Sequence, residues 1–179
     1  MDSRRLSRSL LESDGLQDFN IPTEKHKLRI LVHTEFIKGK LAGLLEGEGT
    51  ITIRSSGSHK WYTPQVLFAN TDMGIIEWII SSLKELNYRP ISRFNKPIST
   101  KKGEKPLHEI RLSGQLQVYP FLRFIDDALV GRKKTLSRLV LEWCESRASY
   151  GTMVNKTPYS QRELEIIDKV REINGHRRN

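Results

Sequence analysis

KGKLAGLLEGEG, residues 38–49, sets a helical apolar pattern beside an unusual run of glycine and glutamate. Gly39, Gly43 and Gly47 are spaced four apart and therefore share one face of a helix. Each interior glycine destabilises a helix by about 1 kcal/mol relative to alanine. A stripe of small residues instead allows two helix backbones to approach closely. We therefore expect this helix to pair with a second copy of itself.

Glu46 and Glu48 are a second departure from ordinary helix composition. Both carboxylates fall near the expected C-terminus of the helix, where the helix dipole is negative. If two copies pair about a two-fold axis, the two Glu48 carboxylates come close together and need a compensating cation. Magnesium (Mg2+) suits such a site because it prefers oxygen ligands and bridges carboxylates to phosphate oxygens.

The residues on either side of this segment predict alternating pairs of strands and single helices. Upstream, Thr34 is the expected N-cap of the helix. Residues 1–33 are interpreted as an N-terminal extension, which either contacts phosphates through its arginines or is a frayed, solvated terminus. Four segments alternate polar and apolar residues as half-buried strands do: 50–56, 61–70, 89–95 and 107–113. Pro64 indicates an early or edge position for the second strand. Four segments show helical patterns: 72–87, 115–124, 132–146 and the one opened by the capping box Ser160–Glu163.

This order favours a single α+β domain over residues 34–179, with a four-stranded antiparallel sheet and helices packed on one face. The other face would carry hydrogen-bonding side chains, which can read base edges and phosphates, although an ordinary solvated sheet face has the same pattern. The candidates for binding DNA on this face are Thr50, Thr52, Arg54, Ser56, Thr63, Gln65, Arg89, Arg93, Asn95, Glu109 and Arg111. Further candidates flank the strands: His59, Lys60, Lys101 and Lys102.

The composition of the chain limits the kinds of partner and cofactor that we expect it to bind. A net charge of +9 attracts polyanions, so nucleic acid is the leading partner. No membrane partner is expected, because no stretch approaches the roughly 18 apolar residues of a membrane span. The histidines lack paired metal-ligand spacing and no phosphate-binding glycine motif is present, so we expect neither zinc nor a nucleotide cofactor. Cys144, the single cysteine, is expected in the core. We expect an intracellular protein, cytoplasmic if its source is prokaryotic, with an organelle left open.

The segment LAGLLEGEG resembles the signature of the LAGLIDADG homing endonucleases, and the order of strands and helices over residues 34–173 is similar to theirs. This resemblance implies an αββαββα fold whose saddle-shaped sheet lies over the DNA major groove. It implies a metal-dependent, site-specific endonuclease that cuts double-stranded DNA across the minor groove and leaves short 3′ overhangs. We expect a free-standing enzyme, such as one encoded within an intron. Because the motif occurs once, it also implies a homodimer and a long near-palindromic target.

The same resemblance assigns roles to individual residues. Glu48 matches the catalytic acid that binds metal, with the Gly47 carbonyl also near the metal, although the family pattern usually has aspartate at the position of Glu48. Asp72 matches a polar residue that organises solvent near the scissile phosphate, but it equally suits the N-cap of a helix. Lys133 is similar to a lysine that polarises the catalytic water or stabilises charge, and Lys134 is the alternative register.

The remaining expectations concern assembly and cofactors. The dimer interface is expected to include Gly39, Ala42, Gly43 and Glu46. Mg2+ is the expected cofactor, with Mn2+ or Ca2+ as substitutes and Ca2+ unable to support cleavage. One alternative is a non-cleaving descendant that binds nucleic acid, either an RNA maturase or a DNA-binding regulator. A second is a basic, monomeric ribosome-associated protein.

Overall fold

The computed structural model describes residues 24–56, 61–94, 106–151 and 157–175. These residues follow the expected order αββαββα, continued by further helix. The helices are α1 (Glu24–Glu48), α2 (Met73–Glu85), α3 (Gln115–Ile125), α4 (Gly131–Ala148) and α5 (Gln161–Ile173), with a short 3-10 helix at Asp126–Ala128. The strands are β1 (Thr50–Ser56), β2 (Trp61–Asn70), β3 (Ile91–Phe94) and β4 (His108–Ser113).

The four strands form one antiparallel sheet in the order β1-β2-β4-β3. Side chains alternate between its faces, and the apolar set lies on the face that the helices cover. The strand residues that contribute to the apolar core are Ile51, Ile53, Val66, Phe68, Ile110 and Leu112. They share one core with buried residues of all five helices, among them Leu41, Leu45, Ile79, Phe121, Val140 and Ile166. The predicted α+β fold, with helices on one face of a four-stranded antiparallel sheet, is confirmed.

Helix α5 closes one edge of this sheet. Its N-terminus has the predicted capping box, in which Ser160 and Glu163 bond reciprocally. Its C-cap, Asn174, donates from Nδ2 to the carbonyl oxygen of Ile51 at 2.9 Å. Since β1 is an edge strand, this bond satisfies a backbone acceptor that pairing leaves open. Cys144 is buried in the core, as expected. Among the described helices, none has the length and apolarity of a membrane span.

The start of α1 differs from the prediction. The helix begins at Glu24, and Thr34, the predicted N-cap, lies inside it with its hydroxyl donating to the Ile30 carbonyl at 3.0 Å. Residues 24–33, assigned to the extension, therefore belong to α1. The apolar side chains in this part of the helix are exposed and lie on more than one side of it, so the periodicity that marks a helix packed on a core is missing.

Two strand predictions are also corrected. β3 begins at Ile91, so Arg89 precedes the strand; its backbone N–H donates to Oε1 of Gln117 at 2.8 Å, and Pro90 has no N–H for a ladder. Pro64 lies in a central strand, so the predicted edge position is wrong, but it does lie early in β2, before the first β2–β4 pair. The Pro64 carbonyl accepts from the Gly114 N–H at 3.0 Å, outside the β2–β4 pairs. The N–H that proline lacks would point to the same side, so no bond of the β2–β4 ladder is lost.

Candidate functional site

The C-terminus of α1 and the end of β2 meet around Glu48. Glu48 is the last residue of α1 and is exposed. Asn70, the last residue of β2, donates from Nδ2 to Oε2 of Glu48 at 2.9 Å. The Oδ1 of the same amide accepts from the backbone N–H of Asp72 at 2.8 Å. Asn70 therefore links the acidic end of α1 to the start of α2.

The first turn of α4 reaches the same place. Lys133 donates from Nζ to the carbonyl oxygen of Gly49, the residue that follows Glu48. Val130, the N-cap residue of α4, donates its backbone N–H to Oε1 of Glu46 at 2.8 Å. The positive end of the α4 dipole thus offsets the unfavourable position of Glu46 at the end of α1. The two acids of the motif have separate roles: Glu46 caps α4, and Glu48 faces solvent.

The ammonium of Lys133 is electrostatically perturbed. Burial lowers its pKa below the ordinary lysine value, and the neighbouring charge of Arg132 lowers it further. The carboxylate of Glu46 acts in the opposite direction and raises the pKa. A lysine of this kind holds its proton less firmly than an exposed lysine, which suits it to donate a hydrogen bond or a proton to a developing negative charge.

A glycine is required between α1 and β1. Gly49 is buried, its N–H donates to the Leu45 carbonyl at 3.1 Å, and an added Cβ would overlap Leu45. The close turn leaves the Gly49 carbonyl where Lys133 reaches it. The geometry of Lys133 relative to Glu48 therefore depends on this glycine.

Asp72 occupies the N-cap of α2. Its Oδ1 accepts from the N–H groups of Gly74 at 2.8 Å and Ile75 at 3.4 Å. This is the capping alternative that the sequence left open, and a role for Asp72 in organising solvent stays a prediction. Asn70 is the neighbour that contacts Glu48, and it was not among the predicted site residues. Alternation along β2 places Asn70 on the same face as Val66 and Phe68, but this pattern does not reveal its contact with Glu48.

The outer face of the sheet has the predicted polar character. The strand register places the following predicted residues on the face opposite the helices: Thr50, Thr52, Arg54, Thr63, Gln65, Glu109 and Arg111. Ser56 and Arg93 share this face by register, although the structure describes only their backbone. Nη2 of Arg111 lies 3.8 Å from Oε2 of Glu109, which forms an ion pair along β4.

Gln65 is less accessible than expected. It is only 8% exposed, and its Nε2 donates to the Ser113 hydroxyl at 3.3 Å. Leu67 and Ala69 lie between the polar residues of this face and were not chosen as candidates. Apolar groups in such positions can contact thymine methyl groups.

The other DNA-binding candidates are not brought to this face. Arg89 is exposed but lies before β3. Several candidates lie outside the described residues: His59, Lys60, Asn95, Lys101 and Lys102.

The glycine face of α1 is open. Gly39, Gly43 and Gly47 are exposed, and an added Cβ at any of them would meet no described atom within 4 Å beyond their own helix. The prediction that Ala42 lies in the dimer interface is wrong, because Ala42 is 2% exposed and belongs to the core. Successive residues of a helix are rotated by 100° about its axis, so Ala42 points away from the face of Gly43 and into the core.

Within the described residues, the acidic side chains of a single chain do not form a ready-made metal centre. No cluster of three or more His, Cys, Asp or Glu residues there is arranged to hold an ion. Glu48 is the exposed carboxylate that could contribute to such a site, and its donor oxygens suit a hard divalent cation.

Comparison with solved structures gives the fold a context. A homing endonuclease, I-CvuI, solved in complex with its target, aligns with 79% of this chain and 84% of its own, at a TM-score of 0.57 and 17% identity. The homing endonuclease I-TnaI aligns with 76% of this chain and 87% of its own, at a TM-score of 0.55 and 14% identity. I-LtrWI, a LAGLIDADG homing endonuclease bound to target DNA, aligns with 77% of this chain but 44% of its own, at a TM-score of 0.51 and 14% identity. No protein-family model and no curated protein sequence matches the chain.

Proposed function

Because the chain has the fold of the LAGLIDADG homing endonucleases, we propose that it is a site-specific double-strand DNA endonuclease. The observation that carries this proposal is the convergence of Glu48, Asn70 and Lys133 where β1 begins and β2 ends. An acid and a base of this kind, beside a polar sheet face, are suited to hydrolysis of a bound phosphodiester. The net charge of +9 supports a polyanionic substrate.

The DNA would lie against the outer face of the sheet. Arg54 and Thr63 offer hydrogen bonds at the end of the sheet away from Glu48, and Thr52 offers one nearer to Glu48. Near the centre of the sheet, Arg111 would offer a bidentate donor from a side chain that is 11% exposed and paired with Glu109. Contacts to base edges specify sequence, and contacts to phosphates fix the register. The target would be long and near-palindromic, because each subunit reads one half-site.

Each subunit of a homodimer would supply one Glu48. The open glycine face of α1 supports close pairing of two helices, which brings both acids near the two-fold axis. A divalent cation, for which we propose Mg2+, would be held by Glu48, with the Gly47 carbonyl also near it. When bound, it supplies Lewis-acid stabilisation of charge on the phosphate. The solved complex of I-CvuI was obtained in the presence of calcium, which supports a divalent-cation site of this kind.

The protein's own residues have distinct parts in the reaction. Asn70 orients the Glu48 carboxylate through its amide. Lys133, held on the Gly49 carbonyl, presents an ammonium that polarises the attacking water or stabilises the charge that develops on the phosphate. Water adds to phosphorus as one P–O bond breaks, and the leaving oxygen takes up a proton. Cutting both strands across the minor groove would leave short 3′ overhangs, and we propose an intron-encoded enzyme.

Selection of cleaved sites from a randomised DNA library, with Mg2+, tests this proposal and identifies the target. Glu48→Gln is expected to bind the selected site with unchanged affinity and to cut it at least about 100-fold more slowly. Glu77→Gln, which neutralises an exposed acid in α2, is the matched control and should cut normally. Cutting by Glu48→Gln at the wild-type rate removes the proposed chemistry. Tight binding of intron RNA without DNA cleavage would favour the maturase alternative instead.

A further inference from the structure

The first half of α1 has an unusual concentration of exposed apolar side chains. Leu28, Ile30, Leu31, Val32 and Phe36 are each between 52% and 62% exposed. Large apolar side chains on a helix are normally covered by a packing partner, and a short helical stretch gains little stability without packing. The described chain leaves this surface uncovered.

Helical geometry divides the exposed residues between two sides. Val32 and Phe36 are four residues apart, and Gly43 and Gly47 follow on the same stripe after two further turns. The apolar stripe therefore continues the open glycine face towards the N-terminus of α1. Ile30 lies on the opposite side of the helix, because it is two residues, or 200°, from Val32.

The glycine face alone offers little contact area. Its three glycines let two backbones approach, but they contribute no side-chain surface, whereas a stable interface buries roughly 1,200–2,000 Å². Val32 is 62% exposed and Phe36 is 59% exposed, so both can add apolar area on the same stripe. The position and chemistry of these side chains fit a second helix with the same stripe.

We propose that Val32 and Phe36, flanked by Leu28, extend the two-fold contact between two copies of this chain along the N-terminal half of α1. The inference rests on the homodimer of the proposed function. Because that homodimer brings the two Glu48 ends together, the two helices run parallel, and Val32 faces the partner's Val32. The extended helix pair holds the subunits together before DNA binds and fixes the spacing of the two half-sites.

Disulfide cross-linking of the full-length chain tests the geometry. Val32→Cys is expected to form a covalent dimer on mild oxidation, because its symmetry mate lies across the axis. Ile30→Cys, at a residue that is 52% exposed on the other side of the same helix, is the matched control and should remain monomeric on denaturing gels. The native Cys144 gives little background, because it is buried and burial raises its pKa to about 12. Equal cross-linking at both positions overturns the proposed face.

Sedimentation equilibrium without DNA tests the contribution to affinity. Val32→Gln combined with Phe36→Gln is expected to raise the dimer dissociation constant at least tenfold. Ile30→Gln and Leu116→Gln, the latter at a residue that is 90% exposed on α3, should leave it unchanged. The double variant should also cut slowly at low protein concentration and recover at high concentration.

Gly43→Leu separates this inference from the homodimer itself. If Gly43→Leu dissociates the dimer while the Val32 and Phe36 changes have no effect, the extension is wrong and the homodimer stands. If the wild-type chain is monomeric when bound to its DNA, the homodimer of the proposed function fails, and the extension fails with it.

Discussion

Nδ2 of Asn70 donates a hydrogen bond of 2.9 Å to Oε2 of Glu48, which ties the last residue of β2 to the last residue of α1. The opposite atom of the amide accepts from the Asp72 N–H, so the orientation of the amide is fixed by the start of α2. One oxygen of Glu48 is thereby held in place, although the side chain is exposed. The sheet and two helices jointly position the proposed catalytic acid.

Replacing Asn70 by alanine should slow cleavage without weakening DNA binding. Loss of a hydrogen bond that orients a metal ligand typically reduces activity or metal affinity about 10–100-fold. Single-turnover cleavage and binding measured in Ca2+ would separate the two effects. Thr71→Ala, at the exposed neighbouring residue, is the control and should behave as wild type. A wild-type cleavage rate for Asn70→Ala would show that the amide does not position Glu48.

The pH dependence of cleavage should report the perturbed ammonium of Lys133. Because burial and the charge of Arg132 lower its pKa, Lys133 loses its proton below the ordinary lysine value of 10.5. The rate should therefore fall on the alkaline side before an ordinary lysine titrates. Lys133→Arg, which stays protonated, should lose this decline, whereas Lys133→Met should be slow at every pH. An unchanged alkaline limb in Lys133→Arg would remove Lys133 from the reaction.

Glu46 should modulate the same titration from a distance. Its carboxylate raises the pKa of Lys133, so Glu46→Gln should move the alkaline limb to lower pH. The variant keeps an oxygen that can accept from the Val130 N–H, so the capping contact survives. A purely structural role for Glu46 would change stability and leave the pH profile in place. Rate profiles and urea unfolding of the same variant distinguish the two roles.

Local patterns were sufficient to predict part of this site. The spacing of glycines and glutamates in residues 38–49 placed Glu48 at a helix end, and alternation in the strands predicted the polar face. The contact of Asn70 with Glu48 could not be predicted in this way, because it depends on how the end of β2 packs beside the end of α1. Likewise, the α4 N-terminus that receives Glu46 is distant in sequence and becomes a neighbour only in the folded chain.

The errors in the predicted elements have similar causes. The first half of α1 was missed because a helix that does not pack against the domain core needs no apolar periodicity. Arg89 was assigned to a strand from its alternation with neighbours, but the backbone N–H that would join a ladder bonds to Gln117 of α3. In both cases, tertiary packing determined where the helix or strand begins, and the local sequence pattern did not.

Arg111 should determine base preference near the centre of the sheet. Its guanidinium lies on the outer face, paired with Glu109 and with its side chain 11% exposed, and a bidentate contact from it to guanine would be worth about 1–3 kcal/mol of discrimination. Arg111→Gln should relax selection at one base pair in each half-site when cleaved sites are selected from a randomised library. Arg138→Gln, at an exposed arginine of α4, is the control and should preserve the selected sequence. Unchanged selection in Arg111→Gln would place the arginine away from the bases.

Glu163 should be essential for stability, because its buried carboxylate joins α4 to α5. It accepts from the Ser160 N–H at 2.7 Å and from the Ser146 hydroxyl at 2.8 Å, and Nη1 of Arg147 lies 3.5 Å away. Glu163→Ala leaves the Arg147 charge buried without this carboxylate, which should lower the free energy of unfolding by roughly 3–5 kcal/mol. Arg162→Gln, which breaks an exposed pair with Glu142, is the control and should cost less than about 1 kcal/mol. Urea unfolding of both variants measures the difference, and equal losses would mean that the buried pair contributes no more than a surface pair.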